Sequence, residues 1–86
     1  MKKKTRNRIA INLYRMANEK KFNRDFIDGT SKHIFMVALK RLKFIEPVEH
    51  GEYKLAIDVN DKSIARAHKM YTAVCMEYQA WKPLNF

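Results

Sequence analysis

Thr30-Ser31-Lys32-His33-Ile34-Phe35-Met36-Val37-Ala38-Leu39-Lys40-Arg41-Leu42-Lys43 runs without glycine or proline into Phe44-Ile45-Glu46-Pro47-Val48, then through Glu49-His50-Gly51-Glu52 into Tyr53-Lys54-Leu55-Ala56-Ile57. In the first part Phe35, Ala38, Leu39 and Leu42 fall at i, i+3, i+4 and i+7, with Ile34 at the rim. That spacing predicts a helix over 30–43 with one inward stripe, capped by Thr30 or Ser31. His33, Met36, Val37, Lys40 and Arg41 fall on the opposite face. After Lys43 the period changes to two: Tyr53, Leu55 and Ile57 alternate with Lys54, Ala56 and Asp58. Pro47 confines the first strand to a sheet edge, and Gly51 supplies the positive φ of a tight turn. The expectation is a helix followed at once by a β-hairpin over 44–48 and 53–57.

On the N-terminal side, Ile9, Leu13 and Met16 at i, i+4 and i+7, widened by Ala10 and Ala17, predict a first helix from Arg6 to about Lys21. Ile11 and Tyr14 lie off that stripe and offer a second contact surface. Residues 1–7 read as a basic arm. Asn23 caps a very short second helix, Arg24 to Asp28, which carries Phe26 and Ile27 and is ended by Gly29. On the C-terminal side, Asn60 or Asp61 caps a last helix over 60–82, stopped by Pro83. Its apolar residues Ile64, Ala67, Tyr71, Val74, Tyr78 and Trp81 alternate steps of three and four. Such a seam packs on the first helix or pairs with a second copy, and Trp81, Leu84 and Phe86 tilt the reading toward a homodimer. The fold class expected is α+β, mostly helical: one domain over 1–86 with three N-terminal helices, a hairpin and a long C-terminal helix.

A chain of 86 residues makes one domain with a small core. With 47% hydrophobic and 31% charged residues and only two Gly and two Pro, it reads as globular. A net charge of +9 points to an anionic partner. The lone Cys75 excludes an internal disulfide framework and fits a reducing compartment. Lys2-Lys3-Lys4 leads into polar residues and not into an apolar signal region, and the longest apolar run, Ile34 to Leu39, is too short for a membrane span. An intracellular, non-secreted protein that does not engage a membrane is expected.

The segment Ser31 to Glu46 resembles the winged helix-turn-helix superfamily. Leu39 and Leu42 match the Leu-x-x-Leu end of its recognition helix, Phe44-Ile45-Glu46 its strand entry, and Gly51-Glu52-Tyr53-Lys54-Leu55 its wing return. The likeness covers residues 8–58 and bears on fold more than on function. It implies a winged helix that binds duplex DNA through the third predicted helix. In that picture Lys32, Lys43 and the N-terminal cations Lys3, Lys4, Arg6 and Arg8 position the protein on phosphates. His33, Lys40 and Arg41 hydrogen-bond base edges, and Met36 or Val37 meets thymine methyls. Two features depart from the superfamily pattern. Asp25 stands where a small residue lets the two helices cross, and the wing is acidic.

Residues 1–24 hold nine basic residues and one acidic, Glu19, whereas residues 25–60 hold five basic and six acidic. Glu49 and Glu52 flank the wing tip and would be repelled by a duplex. The third predicted helix and the N-terminal region are therefore expected to carry affinity, with the wing standing away or gripping a protein partner. No zinc spacing links His33, His50, His68 and Cys75. Asp58, Asn60 and Asp61 lack the glycine and closing glutamate of a calcium loop, and no phosphate loop or nucleophile motif is present. The expectation is a non-enzymatic nucleic-acid-binding protein without cofactor or metal, a transcriptional regulator or a replication or packaging accessory factor. Its size is compatible with a viral or mobile-element origin. Two alternatives stand beside it: a protein-interaction module using the acidic wing and the aromatic last helix, and an RNA binder acting through the basic first helix.

Overall fold

A computed structural model of the chain describes residues 2–81, with side chains over 3–79. The chain is α+β and mostly helical. Helix α1 spans Lys2–Ala17, a 3₁₀ turn Arg24–Phe26, helix α2 Lys32–Leu42, strand β1 Ile45–Glu49, strand β2 Glu52–Leu55 and helix α3 Asp61–Trp81. The last helix is thus followed to Trp81, and the expectations at Lys82, Pro83, Leu84 and Phe86, with the side chain of Trp81, lie outside the described residues.

The first helix differs from expectation at both ends. It begins at Lys2, so residues expected to form a free arm are its first turns; nothing between Lys2 and Arg8 breaks a helix, and lysine and arginine favour one. It ends at Ala17, where the N–H groups of Asn18 and Glu19 donate to the carbonyls of Arg15 (3.2 Å) and Met16 (3.1 Å) and tighten the last turn. The chain must then extend, because Phe22 exchanges two backbone hydrogen bonds with Tyr53 (2.7 and 2.8 Å) alongside β2. Ile9, Leu13 and Met16 are fully buried, as their spacing requires. Burial of each stabilises the fold by roughly 1.5–3 kcal/mol.

The second predicted helix is only the single 3₁₀ turn. Asn23 does cap it, its side chain accepting from the N–H of Asp25 at 2.9 Å. What fixes this short segment is Asn12 of α1. Its side chain is 1% exposed, accepts from the N–H of Asp28 (3.0 Å), and donates to the carbonyls of Asp28 (2.7 Å) and Arg8 (2.8 Å). At Gly29, with φ +78°, a Cβ would lie 2.5 Å from an Arg8 guanidinium nitrogen.

Ser31, not Thr30, caps α2: its hydroxyl accepts from the N–H of Ile34 at 3.3 Å, and its own N–H donates to the Tyr71 hydroxyl of α3 at 3.1 Å. The helix ends in a Schellman motif. Lys43 takes the left-handed conformation, φ 60°, its N–H donates to Lys40 and that of Phe44 to Leu39. Phe44 therefore belongs to the cap and not to the strand. Phe35, Ala38 and Leu39 are fully buried and Leu42 half-buried, with Ile34 at the rim.

The hairpin pairs Ile45 with Leu55, Glu46 with Lys54 and Pro47 with Tyr53, and a register shift at Val48 brings Glu49 opposite Glu52. Because Tyr53 directs its N–H and C=O at Phe22, no ladder bond is due at Pro47, which has no N–H to give. Asn60, not Asp61, caps α3. Its side chain accepts from the N–H of Ser63 at 2.9 Å, while the Ser63 hydroxyl accepts from the N–H of Asn60 at 2.9 Å. Ile64, Ala67 and Val74 are at most 3% exposed, and Tyr71 packs its ring edge-on to Phe35 at 6.1 Å. These four residues of the expected dimer seam are filled by the chain's own α1 and α2, because α3 crosses both helices. Of the described seam residues Tyr78 alone is exposed, and Tyr71 is half-buried.

Candidate nucleic-acid interface

Helix α2 presents its outer face between two walls, the hairpin on one side and the second half of α3 on the other. Met36 is not exposed on that face. It is 4% exposed and belongs to the core, so it is withdrawn as a thymine-methyl contact. Helical periodicity gives one inward stripe, but α2 is packed on more than one side. Met36 turns toward the hairpin and the 3₁₀ turn, lining a groove of about 240 Å³ with Arg24, Val37, Lys40, Gly51 and Tyr53. Val37 is half-buried on that groove.

The cations of α2 are largely engaged within the chain. Lys32 Nζ donates to the carbonyls of Asp25 (3.1 Å) and Ile27, holding the segment before the helix. His33 Nε2 lies 2.5 Å from the Tyr78 hydroxyl, the rings meeting edge-on at 5.6 Å. Lys40 Nζ stands 5.2 Å from the Tyr53 ring centroid. Arg41 forks onto Glu77 of α3, Nη1 to Oε2 at 2.8 Å and Nη2 to Oε1 at 2.9 Å. That pairing raises the Arg41 pKa above its ordinary value and lowers that of the Glu77 carboxyl. Lys43, exposed at the left-handed cap, has no side-chain partner among the described residues.

The cations of α1 stand otherwise. Lys3, Lys4 and Arg8 are exposed and Arg6 half-exposed, and none of the four makes an ion pair among the described residues. The helix has no acidic residue from Lys2 to Ala17. Positive side chains at a helix N-terminus oppose the macrodipole, so this end carries an uncompensated positive potential. Arg8 flanks the turn at Gly29, two residues before the α2 cap, which joins the α1 cations to the start of α2.

The acidity of the hairpin is balanced from α1's side. Glu49 and Glu52 face each other across the turn, an arrangement that is unfavourable by itself. Lys21 bridges them, contacting Glu49 and lying 3.2 Å from Glu52. Its bonds to Glu49 and Glu52 raise the Lys21 pKa, and the bond to Lys21 lowers that of Glu49. Across the strands Lys54 lies 3.8 Å from Glu46.

Sequence reading missed Lys21, Glu77 and the Asn12 clamp. Only Glu77 left a trace, as the one acidic residue of α3 beyond Asp61, beside a seam position. A concavity of about 650 Å³ lies between the hairpin and the start of α3. It mixes Lys54, Lys62 and Arg66 with Glu46 and Asp58 and offers no consistent charge. Among the described residues no cluster of three or more His, Cys, Asp or Glu is arranged to hold a metal ion, and no helix is long and apolar enough to cross a membrane. The chain matches no protein-family model, no curated protein and no solved structure.

Proposed function

We propose that the protein is a non-enzymatic binder of duplex DNA with a winged-helix arrangement, in which the cations of α1 supply most of the affinity and α2 lies against the groove. The observation that carries this reading is the contrast between the two helices. Lys3, Lys4, Arg6 and Arg8 have no acidic counterpart among the described residues, whereas Lys32, His33, Lys40 and Arg41 each have an intramolecular partner. A polyanion supplies what α1 lacks, and a helix N-terminus of positive potential favours phosphate. Helix α2, capped and exposed along Lys40 and Arg41, lies next to the turn that Arg8 flanks. A role in transcription, replication or packaging fits a small binder of this kind.

The test is a salt titration of binding to random duplex DNA, single-stranded DNA and structured RNA. The expected order puts duplex first, with an affinity that falls as salt rises. Replacing Lys3, Lys4, Arg6 and Arg8 together by Gln should flatten the log–log slope by about 3 to 4, near 0.9 for each phosphate no longer neutralised. Replacing Lys40 and Arg41 by Ala should cost less. Preference for structured RNA would move the protein to the RNA reading, and an unchanged slope in the quadruple variant would sink the α1 assignment.

A protein partner has one observation in its favour. Ile11 and Tyr14, 58% and 53% exposed, stand side by side on the outer face of α1. Replacing both by Ser should leave duplex binding intact if that face serves a protein.

A further inference from the structure

We propose that Glu77 occupies on Arg41 the place that a phosphodiester group takes when nucleic acid binds, so that α3 carries an internal competitor for the α2 face. The inference rests on the duplex-binding reading above and names a regulation of that same site.

The geometry is that of anion recognition. A guanidinium presents paired N–H donors to two oxygens of one planar or tetrahedral anion, and carboxylate and phosphate both fit this fork. Glu77 fills it with two bonds of 2.8 and 2.9 Å. The carboxylate is not delivered by a loose side chain. Val74, one turn earlier, is fully buried, and Tyr71 is fixed against Phe35 and the Ser31 N–H. The next residue, Tyr78, bonds His33 near the other end of α2. Two consecutive residues of α3 thus grip candidate readers near both ends of α2. The Arg41 and Glu77 side chains are 42% and 54% exposed, so exchange of the anion requires no opening of the core.

The competitor also explains why the two basic regions differ. Phosphate contacts at α1 need displace nothing described, whereas a contact at Arg41 must first release Glu77. An exposed pair of this kind changes an affinity by about two- to fivefold, which suits a contact that tunes binding and not a block.

Glu77→Gln keeps the size of the side chain while removing the charge and turning one of the two acceptor oxygens of the fork into an NH₂ donor. It should bind a random 20-base-pair duplex about two- to fivefold more tightly than the unaltered chain, with a salt slope steeper by about one. The gain should vanish in an Arg41→Ala background. Equal or weaker binding by Glu77→Gln, or a gain that persists without Arg41, overturns the proposal. A second readout separates this proposal from duplex binding itself. In a titration with inorganic phosphate, the Arg41 Nε–H resonance should respond at lower concentration in Glu77→Gln than in the unaltered chain. If neither protein binds duplex, the functional reading fails and this titration alone decides the competitor. An identical response in the two proteins refutes it.

Discussion

Asn12→Asp changes one NH₂ group to an oxygen and should be among the more damaging substitutions in the chain. Asn12 is 1% exposed; its amide NH₂ donates to the carbonyls of Asp28 (2.7 Å) and Arg8 (2.8 Å), and its oxygen accepts from the N–H of Asp28 (3.0 Å). An ionised aspartate keeps the last bond, loses both donated ones and faces two carbonyl oxygens at hydrogen-bond distance. A protonated aspartic acid restores one of the two through its O–H. A donated bond lost at this site costs about 1–3 kcal/mol, so the protonated form should lose about that and the ionised form, which sets a charge against two carbonyl oxygens, more. The folded-state pKa of the new carboxyl is therefore raised. The native state then holds its proton longer than the unfolded chain, and stability falls as pH climbs from about 3.9 toward the raised value, by about 1.4 kcal/mol per pH unit. At pH 7 the loss should reach about 3 kcal/mol or more, a large share of the 5–15 kcal/mol typical of a domain. In a domain of this size that lowers Tm by roughly 12–24 °C. The assay is thermal unfolding by circular dichroism at pH 4 and pH 7, with Asn12→Ala as the uncharged control. A Tm at pH 7 within about 2 °C of the unaltered protein, or a deficit that does not grow between pH 4 and pH 7, would refute the clamp.

Three further outcomes are expected. Lys43→Gly relieves a left-handed residue at the end of α2 and should stabilise the fold by about 0.5–1 kcal/mol in urea unfolding; if Lys43 also touches phosphate, the same variant binds duplex more weakly although it is more stable. Tyr71→Asp with Val74→Asp should abolish the folded far-ultraviolet signal, because Val74 is fully buried within the chain; a folded monomer replacing a dimer in sedimentation would restore the seam as an interface. The Glu49 carboxyl, held below its ordinary range by Lys21, should titrate higher in Lys21→Met by carbon-detected NMR. Since a depressed carboxylate stabilises the fold above its unfolded pKa, its contribution is present at neutral pH and is lost as pH falls through the lowered Glu49 value. Added salt should weaken it, because both partners are exposed.

Periodicity within one element was enough to find Ile9, Leu13 and Met16, then Phe35, Ala38 and Leu39, because burial of one face repeats at the pitch of the helix whatever covers it. The turn at His50-Gly51 and the edge position of Pro47 were equally local, set by backbone chemistry at single residues. Helix ends were less legible. Adjacent residues such as Thr30 and Ser31 offer the same capping chemistry, and only the arriving Tyr71 hydroxyl singles out the Ser31 N–H.

The candidate interface was legible as residue types and not as an arrangement. The sequence alone shows that positive charge is concentrated in residues 1–24 and that Lys40 and Arg41 share a face with His33. It does not show that Met36 turns inward, since that depends on a hairpin closing over a second side of α2. Partners such as Lys21 with Glu49, Asn12 with Asp28 and Arg41 with Glu77 lie 28, 16 and 36 residues apart. Their meeting is fixed by the crossing of whole elements, which no local pattern encodes. Sequence determined which residues carry charge and which faces are apolar; tertiary structure alone decided which of those charges is already answered within the chain.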